Sequence, residues 1–180
     1  SLSANAVTTL YQDDEGALWV GTFGGGLNRC DPATGAFTAL RSNPSDPGTL
    51  GSDIVTAIAE GPAGVLWVGT EGGGLGRLDG RTGKVLRLRH DPGRPESLCD
   101  DSVYSLHVDP EGTLWVGTRK GLARLDRASA LSDAPAFRTY DERNGLPSRP
   151  VYGIRPDGTG RLWLAASPGL SRLDPETGTF

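Results

Sequence analysis

The sequence predicts an all-β fold assembled from four tandem copies of one antiparallel sheet unit. Two observations predict it. The first is the abundance of turn-forming residues, since 27 Gly and 13 Pro among 180 residues are typical of short strands joined by tight turns. The second is a repeat about 48 residues long, which the tryptophans mark: Trp19, Trp67, Trp115 and Trp163.

Three further sets of equivalent positions, which we call columns, recur with the same spacing and in the same register as the tryptophans. One is a valine column on the first strand, one is a leucine column before that strand, and one is a glycine column in the following turn: Val7, Val55, Val103 and Val151; Leu2, Leu50, Leu98 and Leu146; Gly16, Gly64, Gly112 and Gly160. Columns that agree independently in one register indicate true internal repetition. We therefore expect the tryptophans and valines to form the repeating core of the molecule.

The second copy shows the organisation of one unit. Four β-branched or apolar segments alternate with turns rich in Gly and Asp, and they are expected at 53–60, 65–70, 75–78 and 84–89. Such short segments with tight turns are typical of an antiparallel meander. The best candidate for a helix is weak and falls at 126–134, in an insertion of the third copy.

Four strands in about 48 residues match the size of a β-propeller blade. The chain is expected to form a single propeller region, 1–180, with blades at about 2–48, 50–96, 98–144 and an incomplete 146–180. Small residues two positions after each tryptophan are expected to let neighbouring blades interdigitate.

The ends of the chain predict a fragment of a larger propeller. Ser1 matches the middle of a loop in the next copy, and Phe180 matches Phe37, where an outer strand begins. An open array leaves sheet faces and edges bare. We therefore expect the chain to need flanking blades or a second copy as its partner.

Composition excludes several classes of function. The net charge is −4 with no basic stripe, which argues against a nucleic-acid partner. No apolar run approaches the roughly 18 residues of a membrane span, so no membrane contact is expected in this segment. Cys30 replaces a leucine of the other copies, whereas Cys99 lies in a loop; two free thiols are favoured, and a disulfide between them stays open.

Several motifs have a structural and a functional interpretation. The glycine-rich loops at 24–26 and 72–74 join two strands rather than a strand and a helix, which favours a turn over a phosphate site. The acidic turns at 13–16 and 109–112 lack the further carboxylates of a calcium loop. The chain has only two histidines, His90 and His107, and no catalytic motif, so neither metal, cofactor nor catalytic residue is expected.

Candidate ligand-binding residues lie in two columns that vary in chemistry between copies. In a propeller, the loops that would carry these columns share one face. The column after the second strand consists of Phe23, Glu71 and Arg119, and the column before the first strand consists of Asn5, Asp53, Asp101 and Arg149. His107 is a further candidate, because its position on the inner strand is expected to face the central channel. Free variation of surface loops is the alternative explanation. The mixed charges favour a small polar ligand such as a carbohydrate.

The most specific motif is Leu-Trp-Val-Gly-Thr at 18–22, 66–70 and 114–118, each followed by a glycine-containing turn and Leu. It resembles the two-component regulator propeller repeat. That resemblance implies a periplasmic or otherwise extracytoplasmic ligand-sensing region of a bacterial hybrid histidine kinase or membrane-bound diguanylate cyclase, without catalytic activity of its own. The fourth copy departs from the motif, with Leu-Trp-Leu-Ala-Ala at 162–166.

Two alternative functions stay open. The segments at 60–70 and 76–78 also resemble repeats of streptogramin-type lyases, a resemblance that implies a metal and a catalytic histidine, although no clear match to the histidine motif is found. A scaffold that binds another protein through its loops is the other alternative, because a propeller fold by itself does not determine function.

Overall fold

The computed structural model describes all residues, 1–180, and consists of four antiparallel sheets in chain order. Within each sheet every strand pairs with its neighbour in sequence. The strands are β1 (Val7–Gln12), β2 (Leu18–Thr22), β3 (Leu27–Cys30) and β4 (Phe37–Leu40); β5 (Val55–Glu60), β6 (Val65–Thr70), β7 (Gly74–Asp79) and β8 (Val85–Leu88); β9 (Val103–Val108), β10 (Leu114–Thr118), β11 (Gly121–Leu125) and β12 (Arg138–Tyr140); β13 (Val151–Pro156), β14 (Leu162–Ala166) and β15 (Gly169–Leu173).

The predicted fold class is confirmed, including the incomplete last blade, which has three strands. The weak helix candidate in the third copy is a single short helix, α1 (Arg127–Ala130). No helix in the structure has both the length and the apolar character needed to cross a membrane. Both cysteines are free thiols.

Neighbouring blades meet where a valine of one inner strand enters the space above a glycine of the preceding blade. A Cβ placed on Gly21 would lie 2.7 Å from Val55 Cγ1, and one on Gly69 would lie 2.6 Å from Val103 Cγ1. The same contact joins Gly117 to Val151. The close approach of the backbones explains why these positions carry glycine.

Three of the four tryptophans are buried by the blade that follows them. Trp19 belongs to the apolar cluster of the second blade, Trp67 to that of the third and Trp115 to that of the fourth. Each sheet therefore completes the core of its neighbour, as the repeat predicts.

Two residues predicted as core are exposed, which corrects the sequence-based assignment. Trp163 is 41% exposed on the last sheet of the structure, and Val7 is 45% exposed on the first, where neither side chain packs against a neighbouring sheet. Equivalence in sequence therefore does not produce equivalence in burial. Burial depends on a neighbouring blade, and these two residues lie on the end faces of the array.

The acidic turns stabilise the buried indoles. The carboxylate of Asp13 accepts a hydrogen bond from Ala17 N at 2.7 Å and one from Trp19 Nε1 at 2.7 Å. Asp109 bonds Trp115 Nε1 in the same way, at 3.2 Å. Both oxygens of Asp13 are used within its own β1–β2 hairpin, which agrees with the structural interpretation of these residues.

Candidate functional site

The two variable columns lie side by side on one face of the array, which we call the mouth. The link is a backbone hydrogen bond from the loop after the second strand to the segment before the first strand of the same blade. Phe23 N donates to Ala6 O at 2.8 Å, Glu71 N to Ile54 O at 3.0 Å, and Arg119 N to Ser102 O at 3.0 Å. The local repeat therefore fixes the loop positions while their side chains differ.

Two of the predicted ligand-binding residues are engaged in structural bonds. Asp53 accepts from Ser42 N at 2.6 Å and lies 3.6 Å from the Arg41 guanidinium. One repeat later, Asp101 accepts from His90 N at 2.7 Å and from Arg89 Nη2 at 2.6 Å. Each aspartate thus holds the loop that leads from the outer strand of one blade to the inner strand of the next.

The other predicted residues are dispersed around the mouth. Phe23 is largely exposed on the first blade, and Asn5 is exposed beside it. Arg149 lies on the fourth blade and pairs with Glu142 at 3.4 Å. Glu71 and Arg119, on the second and third blades, belong to a group whose other three members sequence reasoning missed.

That group forms what we call the mouth cluster, which consists of Glu71, Asp100, Tyr104, Arg119 and Tyr152. The rings of Tyr104 and Tyr152 lie 5.3 Å apart between centroids, at an angle of 31°. Asp100 is only 2% exposed, and its Oδ2 lies 3.2 Å from Arg119 Nη2. Tyr152 remains 54% exposed, so its ring is available to a molecule entering from solvent.

The charges of the mouth cluster act on one another. Partial burial raises the pKa of the Tyr104 hydroxyl, and the Glu71 carboxylate and Tyr152 raise it further, while Arg119 opposes them. Lys120 Nζ lies 3.5 Å from Asp100 Oδ2, so two cations share one buried carboxylate. The cluster therefore offers donors and acceptors of both signs beside two aromatic rings.

A sequence signal for the tyrosines does exist. The position after the constant valine is Thr8 and Thr56 in the first two copies and Tyr104 and Tyr152 in the last two. In the second blade, Thr56 Oγ1 donates to Val103 O at 2.6 Å and closes the junction between blades. In the third and fourth blades an aromatic ring replaces the small hydroxyl group, which indicates that this position has a different role there.

His107 lies in a central groove between the inner strands, as its column predicts. The groove has a volume of about 400 Å³ and is also lined by Tyr104, Ser105 and Arg155. Burial lowers the pKa of His107, with Arg155 acting in the same direction and Asp109 against it. No group of three His, Cys, Asp or Glu side chains is placed to hold a metal ion.

These features define a class of protein: a segment of a β-propeller with a polar and aromatic site at its mouth. Residues 1–24, 49–72 and 97–120 match the family model described as two component regulator propeller. Three of the four repeats are therefore similar to two component regulator propeller repeats. The fourth is not matched, in keeping with its altered motif.

Solved structures agree with this assignment. The extracellular domain of a protein assigned to a hybrid two component system of B. thetaiotaomicron is 25% identical with a TM-score of 0.84; the match covers 99% of this chain and 24% of that one. A second such domain, from a one component system of the same organism, is also 25% identical, with a TM-score of 0.72 and coverage of 95% and 22%. The chain thus spans about a quarter of the length of these relatives.

Structures of lower identity share the fold alone. Virginiamycin B lyase from Staphylococcus aureus is 17% identical, with a TM-score of 0.69 over 94% of this chain and 53% of the lyase. No curated protein matches the sequence.

Proposed function

We propose that this chain is a ligand-sensing propeller segment of a bacterial signal-transduction receptor, located in the periplasm and without catalytic activity of its own. The family of its repeats and its likeness to extracellular domains of two-component systems support this function. The observation that carries the proposal is the mouth cluster, which joins side chains from three successive blades.

The position of the mouth cluster links binding to blade packing. Glu71 comes from the second blade, Tyr104 and Arg119 from the third, and Tyr152 from the fourth. A ligand that contacts all of them stabilises one arrangement of these blades over others. A difference in affinity between two arrangements is the physical requirement for a signal.

The chemistry of the cluster favours a small hydroxyl-rich ligand such as a carbohydrate. The charged side chains supply hydrogen-bond donors and acceptors, and the tyrosine rings supply apolar faces. The low charge of such a ligand suits a site in which both signs are already paired, as in the Arg119–Asp100 contact.

Titration calorimetry with a panel of mono- and disaccharides tests this proposal. We expect at least one sugar to bind, and we expect Tyr104→Ala and Arg119→Ala each to weaken binding tenfold or more, or about 1.4 kcal/mol. Arg161→Ala is the matched control, because it removes a partly exposed arginine from the turn between β13 and β14, at the end of the strands opposite the mouth.

Three outcomes would contradict the proposal. One is the absence of binding by every sugar in the panel, and another is unchanged affinity in both cluster variants. The third is divalent-metal-dependent turnover that disappears in His107→Ala, since this would favour a lyase.

We also propose that flanking blades or a second copy cover the end faces of the array. Support comes from the large apolar side chains exposed there: Val7, Leu10, Trp163 and Leu170. Bare faces of this kind favour association. We expect the isolated chain to self-associate at micromolar concentration in light scattering, and a monodisperse folded monomer would contradict this expectation.

A further inference from the structure

The central groove between the inner strands carries unlike residues at equivalent positions of the repeat. The fifth residue of each inner strand is Tyr11, Ala59, His107 or Arg155, in blade order. In the first blade the Tyr11 hydroxyl donates to Glu60 Oε2 at 3.5 Å, and in the second blade the side chain is a methyl group. Only the third and fourth blades therefore bring nitrogen-bearing side chains to this position.

Two neighbouring columns give the groove its room and its apolar surface. The third residue of each inner strand is small, and the fourth is aliphatic: Thr9, Ala57, Ser105 and Gly153; Leu10, Ile58, Leu106 and Ile154. All of these residues line the groove, whose volume of about 400 Å³ lies within the range of small-molecule sites. The groove is therefore built from all four inner strands.

Three polar side chains of the groove have no partner within the protein. Arg155 makes no ion pair. The hydrogen bonds made by histidine are those of His90, so the ring of His107 has none. Ser105 Oγ is buried without a hydrogen-bond partner, an arrangement that is unfavourable unless a further molecule satisfies it. These groups are free to bind a polar molecule that enters the groove.

The fixed charge of the groove is positive. Its lining contains the guanidinium of Arg155 and no Asp or Glu. Burial lowers the pKa of His107, so the imidazole is largely neutral at neutral pH and donates one N–H. Asp109, the carboxylate that acts on His107, is already bonded to Thr113 N at 2.8 Å and to Trp115 Nε1 at 3.2 Å. A cation without a carboxylate partner favours a small anion.

We propose that the central groove binds a small carboxylate with a short aliphatic body. The carboxylate accepts hydrogen bonds from the Arg155 guanidinium and from the His107 imidazole, and the aliphatic body packs against Leu10, Ile58 and Ile154. A guanidinium and a carboxylate match in charge and in the geometry of their hydrogen bonds. The aliphatic column favours a short-chain acid over an inorganic anion, because an inorganic anion has no apolar surface to bury.

This site is separate from the mouth cluster. Tyr104 borders both, but His107 lies three residues further along β9, about 10 Å away. Glu71, Asp100 and Arg119 do not line the groove. The inference therefore goes beyond the proposed function of the mouth and does not depend on it.

Fluorine NMR of trifluorobutyrate added to the whole chain tests the inference. The probe signal should broaden with the wild-type chain, and Arg155→Gln should weaken binding at least fivefold. Arg155 is exposed, so this variant should fold. Arg138→Gln is the matched control, because it removes the same charge from β12, the strand at the opposite edge of the third sheet from β9, and it should leave probe binding unchanged.

Trifluorobutyramide gives a second test that needs no variant. It has nearly the same shape as the acid without its charge, so it should bind at least fivefold more weakly. The inference is overturned if the wild-type chain does not bind trifluorobutyrate at millimolar concentration, or if the amide binds equally well. It is also overturned if Arg155→Gln weakens binding no more than Arg138→Gln does, or if Arg119→Gln abolishes binding while Arg155→Gln retains it.

Discussion

Trp115→Ala is expected to lower the free energy of unfolding by about 3–5 kcal/mol. The Trp115 side chain is fully buried against the fourth blade, and its indole N–H is bonded to Asp109. Removal leaves a cavity at the junction of two blades and an acceptor without its donor. Urea denaturation followed by circular dichroism measures this loss.

Trp163→Ala is the matched control, since it makes the same substitution at the same repeat position. Trp163 is 41% exposed, so its loss should cost much less than the loss of Trp115. Equal destabilisation by the two substitutions would contradict the assignment of core and end face.

Gly69→Ala is expected to destabilise the chain by about 1–3 kcal/mol. The added Cβ would lie 2.6 Å from Val103 Cγ1 and 3.2 Å from Val103 Cβ, so the two blades would have to separate. Gly153→Ala is the control, because the nearest atom to its Cβ is Ala165 Cβ at 3.4 Å, an ordinary contact. A thermal melt of both variants checks the difference, and a neutral Gly69→Ala would contradict the close junction.

Much of the fold follows from periodicity. The tryptophan and valine columns determine where strands lie, because each copy carries the same short-range turn and strand signals. The exposure of Val7 and Trp163 could not be predicted from their columns, since burial depends on contacts between blades and not on local sequence.

The candidate site was predicted less completely. Variation in the loop columns located the mouth but did not distinguish Asp53 and Asp101, which hold backbone groups, from Glu71 and Arg119. The repeat contained a partial clue, since Arg41 and Arg89 accompany the two aspartates at the same step. The proximity of Tyr104 to Tyr152 required the packing of two blades.

The central claim is that Trp19, Trp67 and Trp115 are each shielded by the next blade, whereas Trp163 is not shielded. Iodide quenching of tryptophan fluorescence at nanomolar protein concentration tests it directly. The account predicts that one tryptophan of the four is accessible to iodide and that the accessible fraction disappears in Trp163→Phe. Persistence of that fraction in the variant, or equal quenching of all four tryptophans, would contradict the claim.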